Sequence, residues 1–323
     1  MKTFALGASL VSLALAVAAQ AAQAQDWHPP APIKVVVPYP PGGGTDVVAR
    51  LMTSAVGDAL GQPLVIDNRP GANGVIGANV VYGAKGDGQT LLFGVSDIIS
   101  TTPHINAKAV TFQPDGFSAV APVATGGYVL VARKENRNAD LAALVGTARA
   151  KDSKYTYAHW GAGSMSQMAM EMFKLQAGLT IMPVPYPGSA AVLNAVLSGQ
   201  VDYAFVPPGL AQANQNALRF YAASSEARIP LVKDVPTLKE KGFNIKAETW
   251  YGVVAPPNTP KNVVDTLNAG INKAVHTPAF AARLVEMGYA PMTTNAQQFG
   301  AYIRAENKQW GDVVKAADLR VEQ

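Results

Sequence analysis

The chain has 323 residues, 49% of them hydrophobic and only 15% charged, with a formal net charge of +4. Its 26 Lys and Arg are scattered rather than clustered, which argues against a nucleic-acid or heparin surface, and the absence of cysteine excludes disulfides, thiolate metal sites and a cysteine nucleophile. The length suits two lobes of ordinary size better than one core.

The first residues read as an export signal rather than as part of the fold. Met1-Lys2 supplies a positive start, residues 4–19 are apolar, and Ala19-Gln20-Ala21 and Ala22-Gln23-Ala24 are small-x-small sites. Cleavage after Ala24 or Ala21 is expected, giving a signal peptide over residues 1–24. The apolar run is short of the ~20 residues a spanning helix needs.

The mature chain then opens with a β-branched run, Ile33-Lys34-Val35-Val36-Val37, readable as a buried strand. It runs into Tyr39-Pro40-Pro41-Gly42-Gly43-Gly44-Thr45-Asp46, a loop that frees backbone amides. Val48, Leu51, Met52, Ala55, Val56 and Ala59 follow at helical spacing, and Gly61 closes the helix. Leu64-Val65-Ile66 predicts a second strand, and Thr90-Leu91-Leu92-Phe93-Gly94-Val95 a third. The same grammar returns in residues 154–158, a strand, with Gly161-Ala162-Gly163 as its loop. A helix begins at Ser164, where Ser164 and Gln167 have the spacing of a capping box. Residues 181–185 and 201–206 predict strands, and residues 189–197 a short helix. The tail is helical, with expected starts at Thr259-Pro260, at Thr277-Pro278 and at a Thr294/Gln297 cap pair. Strands alternating with helices predict an α/β fold with mostly parallel sheets.

Two loops stand out chemically. Gly42-Gly43-Gly44-Thr45-Asp46 at the end of a parallel strand aims N–H groups and a helix start at the crevice where ligands bind. It is no dinucleotide loop, because Val47 stands where the third glycine belongs, and no phosphate loop, because no Gly-Lys-Ser/Thr follows. A tight turn whose glycines serve backbone geometry alone is the other reading. Gly163-Ser164 lacks a nucleophile elbow, so Ser164 reads as a cap, or as a hydroxyl shared between the cap and a bound anion. Asp46 favours its own helix start. Trp160 reads either as a packed core aromatic or as a ring facing a ligand. His28, His104, His159 and His276 lack metal-ligand spacing.

Together these residues resemble the receptors of tripartite tricarboxylate transport, the Bug family. The resemblance rests on the Tyr39–Asp46 loop and on Asp67-Asn68-Arg69-Pro70-Gly71-Ala72-Asn73-Gly74. Asp87-Gly88-Gln89-Thr90-Leu91-Leu92, Gly163-Ser164, Val184-Pro185-Tyr186, Gly199-Gln200-Val201-Asp202, Asp234-Val235-Pro236-Thr237 and Trp250-Tyr251-Gly252 extend it in order along the mature chain. It implies a two-lobed, type II periplasmic-binding-protein fold, with residues 26–122 and 252–323 forming lobe 1 and residues 123–251 lobe 2. It further implies a periplasmic, monomeric receptor without catalytic activity, cofactor, metal or nucleic-acid partner. Such a receptor binds a small carboxylate for a membrane transporter, or reports it to a sensor kinase; a serine-dependent hydrolase is the more distant alternative. Carried over by motif, the ligand-binding residues are Tyr39, Pro41, Gly42, Gly43, Asp46, Ser96, Gly163, Ser164, Tyr186 and Pro207. Trp160 joins them as a departure, since a small residue is usual before that loop, and a bulky ring there narrows the pocket or stacks on an aromatic acid.

Overall fold

The computed structural model describes residues 27–113 and 115–319. The expected signal peptide lies outside the described residues.

The first parallel unit forms as the periodicity predicts. β1 (Ile33–Val37) is buried at four of its five positions, as a strand covered by helices on both faces requires. α1 (Gly44–Leu60) follows and stops at Gly61, whose φ of 68° is the left-handed conformation of a C-terminal cap. β2 (Leu64–Asn68), α2 (Val75–Tyr82) and β3 (Thr90–Val95) complete the unit. Directly after β3 the chain winds into a single π-helical turn, Asp97–Thr101, and a short helix α3 (Thr102–Ile105).

β4 (Ser118–Gly127) and β5 (Val129–Arg133) are consecutive strands of different sheets. The second half contains α4 (Leu141–Ala148), β6 (Thr156–His159), α5 (Met165–Ala177), β7 (Met182–Pro185), α6 (Ser189–Leu197), β8 (Tyr203–Val206), α7 (Pro208–Ala213) and β9 (Leu218–Ala223). The chain then returns through β10 (Glu248–Ala255), α8 (Lys261–Val275), α9 (Pro278–Glu286), β11 (Ala290–Pro291) and α10 (Ala296–Ala316).

One sheet has the order β11-β4-β10-β3-β1-β2, and the other β7-β6-β8-β5-β9. The two-sheet α/β architecture is the expected one. Within it, most strands of each sheet run one way, β1, β2, β3 and β4 in the first and β6, β7, β8 and β9 in the second. β1 pairs in parallel with β2 and β3, and β6 with β7 and β8, whereas β10 and β5 pair antiparallel with their neighbours. β10 and β5 are the strands that enter from the other sheet, and they run against the parallel unit they join; the short β11 also pairs antiparallel, with β4. The expected lobe limits at residues 122 and 252 fall inside β4 and β10. The change of sheet occurs between Gly127 and Val129, and again between Ala223 and Glu248.

Each sheet has its own apolar core, and α10 spans both. Phe299 and Ile303 pack in the core of the first sheet, while Trp310 and Val314 pack in that of the second. Three local expectations shift. The cap of α10 is Asn295 with Gln298, one residue beyond the predicted pair, because Asn295 is placed to accept from the Gln298 N–H. Helix α8 starts after Pro260, and the Thr259 hydroxyl turns back to the Pro256 carbonyl. Ser164 does sit at the N-cap of α5, but no capping box forms: Gln167 accepts from the Gly163 N–H, and the Ser164 hydroxyl pairs with that of Ser166.

Candidate functional site

A cavity of about 560 Å³ lies between the lobes. The first lobe contributes the β1–α1 loop, the turn before α2 and the end of β3. Tyr128 from the crossover, Thr249 and Tyr251 from β10, and Tyr289 close that wall, while the second lobe contributes Trp160, Pro187–Ala190 and Pro207. The described lining contains no Lys, Arg or His.

The β1–α1 loop is held from behind. Asp46 is only 1% exposed; one carboxylate oxygen accepts from the Gly42 N–H (2.9 Å) and from Arg50 Nε (2.8 Å), and the other from Asn68 Nδ2 (2.9 Å). Asn68 Nδ2 also donates to the Tyr39 carbonyl at 3.0 Å, so one amide ties both ends of the loop. Burial pushes the Asp46 carboxyl up, but the hydrogen bonds from Arg50, Gly42 and Asn68 outweigh it and hold the group below the usual carboxylate range. Gly42 has φ of 81°, a conformation an L side chain adopts only under strain. The loop therefore bends so that the start of α1 faces the cavity. Gly43 is its N-cap and no side chain caps it, leaving first-turn amides available to a guest.

A second helix start faces the same space from the opposite lobe. α6 begins at Ser189 after Gly188, whose φ of 94° turns the chain, and this helix also lacks a side-chain cap. The sequence pointed to the start of α5 for this role, and that start is already occupied. The Met165 N–H donates to Asp97 Oδ2 at 3.0 Å, and the Trp160 indole donates to the same oxygen at 3.4 Å. An internal carboxylate from the first lobe thus sits where an anion from solution was expected. Thr101 adds a hydrogen bond to the Gly163 carbonyl, and Asn73 Nδ2 donates to the Ala162 carbonyl at 3.4 Å, so this edge of the lobes is stitched shut.

The sequence-predicted residues divide accordingly. Tyr39, Pro41, Gly42, Gly43, Trp160 and Pro207 line the cavity. Asp46 lies behind the loop and shapes it. Ser96 is fully buried, bonded to the Thr249 hydroxyl at 2.8 Å, and reaches the cavity only through Thr249. Gly163 and Ser164 stand back from the cavity, Ser164 with no exposure, and the Ser164 hydroxyl contacts Ser166 rather than a base. Tyr186 is turned towards Gln200 and does not line the cavity.

Sequence reasoning missed Asp97, Tyr128, Tyr251, Tyr289 and the start of α6 as lining groups. Asp97 is 4% exposed; burial pushes its carboxyl up to about 6, despite hydrogen bonds from Met165 and Trp160 that favour the charged form. The Tyr251 and Tyr289 hydroxyls meet at 3.0 Å, and the Tyr128 and Trp160 rings lie 5.3 Å apart between centroids. Among the described residues no cluster of three or more His, Cys, Asp or Glu is placed to hold a metal, and no helix is long and apolar enough to cross a membrane.

Comparison with known proteins agrees with this architecture. The profile of the tripartite tricarboxylate transporter family receptors matches residues 48–319. Protein BugT of Bordetella pertussis is 32% identical over 304 residues, covering 92% of each chain. Among solved structures, MatC of Rhodopseudomonas palustris with bound malate superposes with a TM-score of 0.79 at 30% identity, covering 88% of this chain and 99% of MatC. R. palustris Rpa4515 with adipate gives a TM-score of 0.82 at 29% identity, covering 91% of this chain and 99% of that protein. The fold is that of two-lobed periplasmic binding proteins, and the chain belongs to the tripartite tricarboxylate transporter family of receptors.

Proposed function

We propose that the protein captures a small carboxylate in the cleft between its lobes and releases it unchanged to a membrane transporter after export to the periplasm. The observation that carries this reading is the pair of uncapped helix starts, at Gly44 and at Ser189, that open from opposite lobes onto one cavity whose described lining holds no lysine or arginine. Each helix start offers N–H donors and the positive end of a helix dipole, worth roughly 0.3–1 kcal/mol at an exposed site and up to about 2 kcal/mol when partly buried. An anion bridging both starts also holds the lobes together, which links capture to closure. The malate and adipate in the related structures are guests of this class.

The test is calorimetry on the purified chain with aliphatic and aromatic carboxylates of graded size. Dissociation constants between micromolar and nanomolar, about 8 to 12 kcal/mol, are expected for the best fit. No heat with any acid, together with no small acid released when natively purified protein is denatured, would sink the proposal.

A further inference from the structure

Resting on the carboxylate reading of the cleft, we propose that the guest is a zwitterion, whose carboxylate sits at the helix starts and whose cationic nitrogen faces Asp97 among aromatic rings. Asp97 is the only Asp, Glu, Lys, Arg or His in the described cavity lining. Its carboxylate is 4% exposed and receives the neutral Met165 N–H and Trp160 indole donors, yet it joins no ion pair among the described residues. Buried charges are ordinarily paired, because hydrogen bonds to neutral donors offset only part of the lost hydration. Apart from the positive end of the α5 dipole, the described residues give Asp97 no formal counter-charge, and a guest can bring one.

The surroundings favour a cation as well. The Asp97 charge, adding to burial, pushes the hydroxyls of Tyr39, Tyr128 and Tyr251 up, and it acts likewise on Tyr289. Four tyrosines therefore stand within its electrostatic reach, and the Trp160 ring adds a fifth aromatic from the opposite lobe. Aromatic faces attract ammonium groups, most of all when water is excluded. A dicarboxylate would set its second negative group in this same space, against Asp97, with no cation to offset the repulsion. A zwitterion puts each of its charges against an opposite one. Asp97 would thus separate this receptor's guest from the dicarboxylates held by MatC and Rpa4515.

The experiment is calorimetry at neutral pH on the exported form of the chain, using skeletons that differ only in charge. The probes are butanoate, 4-aminobutanoate, 4-(trimethylammonio)butanoate, pentanedioate and butylamine, with 3-phenylpropanoate and phenylalanine as an aromatic pair. At least one zwitterion is expected to bind about tenfold or more tightly than the matching acid without nitrogen. Asp97→Asn should erase that preference, bringing the ratio of zwitterion to plain-acid affinity down to about one whatever the variant does to the affinity for the plain acid itself. If plain acids or pentanedioate bind wild type as tightly as the zwitterions, the proposal is overturned and the carboxylate reading stands. Equal losses for acid and zwitterion in Asp97→Asn would reduce Asp97 to a tie between the lobes, which also overturns it. Butylamine matching the zwitterions would instead remove the carboxylate from recognition and overturn the underlying reading. Silence from every probe would overturn both. The wild-type comparison is decisive even if the variant fails to fold.

Discussion

Replacing Asp46 with Asn keeps the side chain's shape and removes its charge, which isolates what holds the β1–α1 loop in place. In the native loop one oxygen accepts from Gly42 and Arg50, and the other from Asn68. An amide presents only one oxygen. If that oxygen stays with Gly42 and Arg50, the new NH2 faces the donor Nδ2 of Asn68. Turning the Asn68 amide over to relieve this would forfeit its bond to the Tyr39 carbonyl. The variant therefore loses one hydrogen bond to a charged acceptor, worth about 1.5 kcal/mol, and the charge assistance of two others, worth roughly another 1 kcal/mol together. A total of about 2.5 kcal/mol corresponds to a melting temperature lower by roughly 4 °C in a chain of this length. Differential scanning calorimetry measures it. The pH profile carries a further signature. The native Asp46 carboxyl lies below its unfolded value of about 3.9, so its contribution is complete above that pH and is lost as pH falls through the folded value. The gap between wild type and variant should be constant from about pH 5 to 8 and narrow only below about pH 4. A variant that melts with wild type, or a gap that closes nearer neutrality, would refute the role assigned to Asp46.

Gly188→Ala meets no neighbouring atom, so its cost is backbone strain at φ of 94°, about 1–3 kcal/mol; melting should drop and ligand affinity fall as the start of α6 moves, whereas unchanged affinity would deny that start a role. Ser164→Ala removes a hydroxyl bonded only to Ser166, so calorimetry should find carboxylate affinity within about twofold of wild type and a stability loss of about 1 kcal/mol or less. Burial pushes Glu306 up to about 7 in the folded chain against about 4.3 when unfolded, so wild type should lose roughly 4 kcal/mol as pH rises through and just beyond that window. Glu306→Gln should lack this loss in denaturant titrations at several pH values, and parallel pH profiles for the two proteins would contradict the assignment.

Much of the fold was legible because its grammar is local. β1, α1 and α6 announce themselves by a β-branched run, a helical apolar period and a glycine stop, and the structure sets α6 over the predicted residues. β4 was silent: it carries Pro122 and Gly126, is buried through its middle on both faces, and so shows no alternation. Its pairing with β10 depends on chain more than a hundred residues away.

The site divides the same way. Tyr39 to Gly43 could be read because a glycine loop directly follows a strand. The start of α5 had the better local pattern but lost its opening to Asp97, a residue 68 positions earlier in sequence. That contact has no local signature. Asp97 itself stood one residue beyond Ser96, at the carboxyl end of β3, where the crevice rule for open α/β sheets would have looked. Tyr128, Tyr251 and Tyr289 come from the crossover, from β10 and from the turn before β11, and only the fold brings them together.

A crystal structure of the chain with a tightly bound carboxylate tests the central claim most directly. The account predicts carboxylate oxygens about 2.7–3.2 Å from backbone N–H groups in the first turns of α1, at Gly44 or Thr45, and of α6, at Ser189 or Ala190. A carboxylate seated away from both helix starts, or held by a lysine or arginine side chain, would contradict it.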